Sequence, residues 1–471
     1  MLSSPARLLT ALCGLASTAF AVHPLKIEGR EFIDSKTNER FQIIGVDYQP
    51  GGSSGFKGKG DPLSDKAACL RDAAIMQLLG VNTIRVYNLD PSANHDECAS
   101  IFNAAGIYMI LDVNSPLPNG ALDRTKPWTT YNKEYMKQVF GVIEAFKNYP
   151  NTAAFFAGNE VINEQSVKEV PAYIRAVQRD MKEYIEKHSE RYIPVGYSAA
   201  DVREILMDTA NYMACQLDNS TSSHSDFFGL NSYSWCGDAT YESSGYNILT
   251  DDFRKYPYPV FFSEVGCNLV KPRIFTEVQA IYGENMTEVL SGALIYEYSM
   301  EDNEYGLVAI NDTDSVTLLV DYENLMSQYA KLDVEEIKSV RANPASVKAP
   351  KCSVDLFSSK DFHVSFDIPK RVDGIDDLIE DGHTDGVHVG KLVSVKSQEI
   401  SQKVYDSKGD KVTGIKFNVL SNDAVNTPSE DKLTTDSSSG SSEDEEDAAV
   451  SVRVSSAGLL GAIVATALLA W

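Results

Sequence analysis

Eight short, mostly apolar runs recur between residues 42 and 298, and several are separated by segments with helical periodicity. The runs are Gln42–Gln49, Thr83–Asn88, Tyr108–Asn114, Ala153–Glu160, Tyr192–Ser198, Phe227–Tyr233, Pro259–Val265 and Gly292–Tyr298. A run without polar alternation reads as a strand buried on both faces, the habit of a parallel sheet covered by helices. The clearest helical patterns are Lys66–Leu79, Lys133–Asn148 and Ser166–His188; in the last, Val170, Ile174, Val177, Met181 and Ile185 recur at spacings of three and four. Strand and helix alternating eightfold is what a (β/α)8 TIM barrel, an α/β fold, requires. An open doubly wound sheet is the alternative. It would carry a Gly-rich phosphate turn after the first strand, whereas the nearest candidate, Gly51-Gly52-Ser53-Ser54-Gly55, opens no apolar helix.

In such a barrel the chemistry collects where strands end. The ends here concentrate tyrosine, carboxamide and carboxylate: Tyr48-Gln49, Arg85, Tyr87-Asn88, Asp112, Asn114, Asn159-Glu160, Tyr197, Asn231, Tyr233, Glu264, Tyr296 and Tyr298. Glu160 closes the fourth run and Glu264 the seventh. A carboxylate at the end of a buried strand sits where the dry core meets the rim, and two that converge there are the minimum equipment for cleaving a glycosidic bond. Glu164 lies past the strand and reads as structural, and Glu297, alternating with Tyr296 and Tyr298, is expected on the other side of its strand. None of the seven histidines belongs to a metal-like cluster, and no cofactor is suggested.

Four motifs narrow the field: Tyr48-Gln49-Pro50-Gly51-Gly52, Arg85-Val86-Tyr87, Gly158-Asn159-Glu160-Val161 and Ser263-Glu264-Val265-Gly266-Cys267-Asn268. Over residues 24–330 the chain resembles the GPI-anchored β-1,3-glucanosyltransferases of fungal cell walls, glycoside hydrolase family 72. The resemblance implies that Glu160 is the general acid and later the base, and that Glu264 is the nucleophile forming a covalent glycosyl-enzyme. It also implies that Asn159 bonds the sugar 2-hydroxyl, that Tyr233 holds the nucleophile, and that Gln49, Tyr87, Asp112 and Tyr296 line the sugar groove. Donor and acceptor would both be β-1,3-glucan chains, handled by a monomer. The same carboxylates would serve a retaining endo-β-1,3-glucanase, and a catalytically silent glucan-binding wall protein is a reading from another class.

The remainder fits an extracellular protein. Residues 1–21 read as a signal peptide ending in Ala19-Phe20-Ala21. Residues 22–335 are expected to form the catalytic barrel and 336–420 a small β-rich appendage, with strand-like stretches at Phe362–Phe366 and Gly414–Val419. Residues 421–453 read as a disordered Ser/acidic linker and 454–471 as an apolar tail, together a GPI-attachment signal, with a tail-anchor helix as the alternative. The net charge of −25 argues against a nucleic-acid partner. Six cysteines remain beyond the leader, an even number that suits disulfides. Spacing alone leaves their pairing open; the resemblance implies Cys69–Cys98, Cys236–Cys267 and Cys215–Cys352. With only Cys352 beyond the barrel, the resemblance implies the family branch without the cysteine-rich carbohydrate-binding module. Asn219, Asn285 and Asn311 open N-glycosylation sequons.

Overall fold

In the computed structural model the eight apolar runs close into one parallel barrel. The strands are β1 (Ile43–Asp47), β2 (Thr83–Val86), β3 (Tyr108–Asp112), β4 (Thr152–Asn159), β5 (Val195–Ala200), β6 (Phe228–Asn231), β7 (Val260–Val265) and β8 (Leu290–Ile295), and β8 bonds back onto β1. Nearly every strand residue is buried, because side chains alternate between the barrel interior and the helical jacket, so neither face meets water. The fifth strand starts later than its apolar run, after Pro194, which has no N–H for a ladder. The structure describes residues 22–436 apart from 58–59, 165–167, 218–221, 341–346, 360–361, 363 and 430–432. The expected leader, Asn219, the acidic segment and the apolar tail lie outside the described residues.

The helices that follow the strands are α1 (Lys66–Leu79), α2 (Asp96–Ala104), α3 (Lys133–Phe146), α4 (Val170–His188), α5 (Leu206–Ala214), α6 (Tyr246–Phe253), α7 (Glu277–Ile281) and α8 (Val320–Tyr329). Their ends follow local chemistry. Asp65 accepts from the amides of Ala67 and Ala68 at the start of α1, and Gly80, at φ 82°, ends it in a left-handed turn that side chains disfavour. Asn132 caps α3 by accepting from Tyr135 N.

Two features go beyond the expected barrel. The N-terminal mouth is plugged by an antiparallel sheet of Leu25–Glu28, Glu31–Asp34 and Arg40–Phe41. Its Phe32 enters an aromatic cluster with Phe227 and Phe261, at ring-centroid distances of 5.7 and 5.9 Å. The second feature concerns the described residues between 353 and 436, which run along the outside of the barrel. They hold a helix at Ile375–Asp381 and strands of two or three residues at Gln398–Glu399, Val404–Tyr405, Lys411–Thr413, Lys416–Phe417 and Thr434–Asp436, the last pairing with Lys411–Thr413.

The stretch Phe362–Phe366 is not a strand. Its rings, with Phe357, pack around Tyr212 of α5, so those apolar residues dock onto a helix instead of lining a sheet. Val404–Tyr405 pairs with Val316–Leu318, joining one small sheet from residues on both sides of position 335. The strap then bonds to the ends of α2: Lys391 N donates to Asp96, Val393 N to Ser100 Oγ and Leu420 N to Ala104 O. A Cβ at Gly390 would lie 2.3 Å from the Tyr149 ring, so only glycine permits this approach. Within the segment expected as linker, Asn426 is buried and its side-chain amide donates to Val81 O at 2.8 Å.

Candidate active site

The C-terminal ends of the strands surround an open cleft of ≈ 870 Å³ lined by Gln49, Tyr87, Asp112, Asn159, Glu160, Glu264 and Tyr296, among others. Glu264, on β7, is almost fully buried and holds three donors. Its Oε1 accepts from Arg85 Nη1 at 3.2 Å and the Tyr87 hydroxyl at 2.9 Å, and its Oε2 from the Tyr233 hydroxyl at 2.7 Å. Glu160 follows the last residue of β4 in a left-handed conformation, φ 50°, which is costly for a residue with a side chain. Asn231 Nδ2 donates both to Glu160 Oε1 at 2.9 Å and to Asn159 Oδ1 at 3.0 Å, tying β6 to the end of β4.

Arg85 is the hub of the site. Its guanidinium is fully buried and forks onto both oxygens of Asp112, at 3.0 and 2.9 Å, while also reaching Glu264 and Asn159 Oδ1. It also lies 4.4 Å from the centre of the Tyr87 ring and 4.6 Å from that of Phe156. Asp112, expected on the sugar groove, therefore lines the cleft with its carboxylate already engaged by Arg85. Asn159 Oδ1 accepts from Arg85 and Asn231, which leaves Nδ2 to donate into the cleft. Gln49 is similar: Oε1 accepts from the amides of Tyr87 and Asn88, and Nε2 is buried without a partner.

Tyr296 meets Tyr87, Tyr233 and Tyr305 edge to face, with centroids 6.4, 6.2 and 5.2 Å apart. Glu297 departs from its expected place. Strand β8 stops at Ile295, so alternation does not extend to it; it is buried, lines the cleft and accepts from Asn303 Nδ2 at 2.8 Å. Glu164 is exposed.

Arg85 and Asn231 stand among the strand-end residues without a role assigned from sequence, and Tyr305 lies outside that set. For Arg85 the signal was available: a lone cation in an otherwise buried strand needs carboxylate partners. The disulfides present are Cys69–Cys98, Cys215–Cys352 and Cys236–Cys267. The third ties the loop after β6, which carries Tyr233, to the loop after β7. Asn285 and Asn311 are exposed.

Electrostatics follow from this crowding. Burial pushes Glu264 up to about 7; Arg85 and the hydroxyls of Tyr233 and Tyr87 oppose the rise, and the charge of Glu160 adds to it. Burial raises both tyrosine hydroxyls well above their ordinary range, so they remain donors. Burial also pushes Glu297 and Glu277 to about 7. A carboxyl raised on folding stabilises the fold while protonated in both states, and that contribution is lost as pH rises from its ordinary 4.5 through 7. Thermal stability is therefore expected to fall between pH 4.5 and 7.5. Glu277 lies in α7, away from the cleft lining, and alone accounts for about 3 kcal/mol of that loss by linkage. Replacing it in Glu277→Gln should flatten the slope of Tm against pH, which calorimetry across that range would check.

Comparison with known proteins agrees with this geometry. The family model described as glucanosyltransferase, glycoside hydrolase family 72, matches residues 15–333. The chain is 62% identical over 428 residues to the 1,3-beta-glucanosyltransferase gel2 of Aspergillus fumigatus, covering 91% of this chain and 90% of that protein. It is 44% identical to the 1,3-beta-glucanosyltransferase GAS4 of Saccharomyces cerevisiae, over 84% of this chain and 83% of the other. Among solved structures, a mutant of Saccharomyces cerevisiae Gas2p in complex with laminaritetraose and laminaripentaose superposes with a TM-score of 0.62 at 40% identity, over 72% of this chain and 74% of that one. The Gas2p apostructure gives 0.65 at 40% identity, over 75% and 73%. With the barrel, the two glutamates and these matches together, the chain belongs to glycoside hydrolase family 72, the glucanosyltransferases.

Proposed function

We propose that this chain is a retaining 1,3-β-glucanosyltransferase that cleaves β-1,3-glucan internally and passes the glycosyl portion to another β-1,3-glucan chain in cell-wall assembly. The observation that carries the reading is the pair Glu160 and Glu264 lining one cleft, with Glu264 gripped by Arg85, Tyr87 and Tyr233. Glu264 attacks the anomeric carbon as Glu160 protonates the departing glycosidic oxygen, leaving a glycosyl ester on Glu264. Glu160, now ionised, takes the proton of an acceptor hydroxyl, whose oxygen displaces Glu264 and restores the original configuration. Asn159 Nδ2 and Gln49 Nε2 are donors for sugar hydroxyls, and the rings of Tyr87 and Tyr296 offer apolar faces to the pyranose.

The protein is taken to act as a monomer at the outer face of the plasma membrane and in the wall, tethered through a GPI lipid after its leader is removed. Three disulfides suit that oxidising setting. Among the described residues no helix is long and apolar enough to cross a membrane. The catalytic unit spans 22–335, and the strap from 353 is bound to it.

Transfer and hydrolysis share the glycosyl-enzyme and differ only in what displaces Glu264. Incubating a secreted form that ends before the tail with a reduced β-1,3-gluco-oligosaccharide separates them. Products longer than the starting oligosaccharide are expected. Only shorter products would make the protein an endo-β-1,3-glucanase, and no products would favour the glucan-binding reading.

A further inference from the structure

Asp47 ends β1 directly opposite Arg85 in the strand register, and its carbonyl accepts from Tyr298 N. It is fully buried, and neither carboxylate oxygen is held in a hydrogen bond of ordinary geometry, the Tyr87 hydroxyl being the donor near enough to act on it. Buried carboxyls are ordinarily paired, because an unpaired one forfeits its hydration for nothing. Arg85 does not satisfy it, since its guanidinium is committed to Asp112, Glu264 and Asn159. The groups facing the Asp47 carboxyl are Glu264, Arg85, Tyr87 and Glu297. Of these, only the Tyr87 hydroxyl is a donor that can turn, and in the resting site it is given to Glu264 Oε1 at 2.9 Å.

One hydroxyl thus stands between two carboxyl groups, one occupied and one vacant. The occupancy must change during the reaction if, as read above, a glycosyl ester forms on Glu264. Esterification removes the negative charge of that carboxylate and with it the charge-assisted part of the Tyr87 hydrogen bond. We propose that Asp47 is a positioning residue, the alternate acceptor that holds the Tyr87 hydroxyl while Glu264 carries the sugar. The proton stays on the Tyr87 oxygen throughout and only its acceptor changes. Tyr87 keeps its ring against the bound pyranose through the second half-reaction, and its hydroxyl returns to Glu264 as the carboxylate is released.

The inference separates the two half-reactions, which an aryl β-1,3-gluco-oligosaccharide with a good leaving group resolves. The burst of aryl alcohol reports formation of the glycosyl-enzyme, and the steady state in the presence of a β-1,3-gluco-oligosaccharide acceptor reports its transfer. In Asp47→Leu the burst rate should stay within about twofold while steady-state turnover drops about 5- to 10-fold, the weight of one hydrogen bond. Asp47→Asn, which keeps an acceptor oxygen, should restore turnover. In a Tyr87→Phe background Asp47→Leu should cost nothing further. Tm should rise in Asp47→Leu, since an unpaired buried carboxyl is replaced by an apolar side chain of similar size; Asp47→Val serves the same tests where Leu is not accommodated. A burst slowed as much as the steady state, a loss that persists without the Tyr87 hydroxyl, or a lowered Tm with both rates reduced would overturn the proposal. Absence of any burst or trapped glycosyl-enzyme in the unmodified protein would instead overturn the reading of Glu264 as nucleophile, and the role of Asp47 with it.

Discussion

Glu264→Gln is expected to lower kcat/KM on β-1,3-glucan by about four orders of magnitude or more while leaving the fold intact, because the amide cannot form the glycosyl ester. Arg85 and Tyr87 still find a carbonyl oxygen there, the amide NH2 can donate to the Tyr233 hydroxyl oxygen, and burial already favours an uncharged group at this position. Tm at neutral pH should therefore be unchanged or higher. Glu160→Gln should differ in kind. Loss of the proton donor costs about 10²- to 10⁴-fold on glucan but little on an aryl glycoside whose leaving group needs no protonation. Equal losses on both substrates would contradict the assignment.

The second large effect is expected at Arg85. Replacing it in Arg85→Met strips the one cation from a cluster that contains Asp112 and Glu264, both buried. Removing one partner of a buried ion pair costs about 3–5 kcal/mol of stability. Because Arg85 opposes the upward pull of burial on Glu264, its loss should push that carboxyl higher and move the acidic limb to higher pH. Activity at the optimum should fall about 10²- to 10³-fold, the range seen when a group organising transition-state charge is deleted. Arg85→Lys should retain part of the charge effect but lose the fork onto Asp112, so its acidic limb should lie between the two. Denaturation curves and pH profiles of the three proteins would check the ordering.

Much of this was legible from residues alone, for identifiable reasons. The barrel strands announce themselves because they are dry on both faces; Ala153–Glu160 and Pro259–Val265 can hardly be anything else. Glu160 and Glu264 stand out as charges that end such runs. What stayed hidden depends on side chains meeting across strands. That both oxygens of Asp112 are held by Arg85, one strand away, is such a contact. Glu297 was misplaced because alternation holds only while the strand does. The plug strands of residues 25–41 are half-polar and short, and Phe362–Phe366 mimics a strand although its rings pack onto Tyr212.

The strap along the barrel has a mechanical side. A load applied beyond Asp436 would first strain the pairing of Thr434–Asp436 with Lys411–Thr413, then the contacts of Asn426 and Leu420 with the turn after α2, then the short pairings at Lys416–Phe417 and Val404–Tyr405, and last those of Val393 and Lys391, one after another, as in peeling. Peeling breaks few bonds at a time, so each yields at low force. It would stop at Cys352, whose covalent link to Cys215 hands the tension to the end of α5. The loop bearing Tyr233 and the loop that follows Glu264 lie off that line of force and are stapled to each other by Cys236–Cys267. A molecule pulled by its C-terminal end could thus pay out chain as slack while its catalytic groups stay in register.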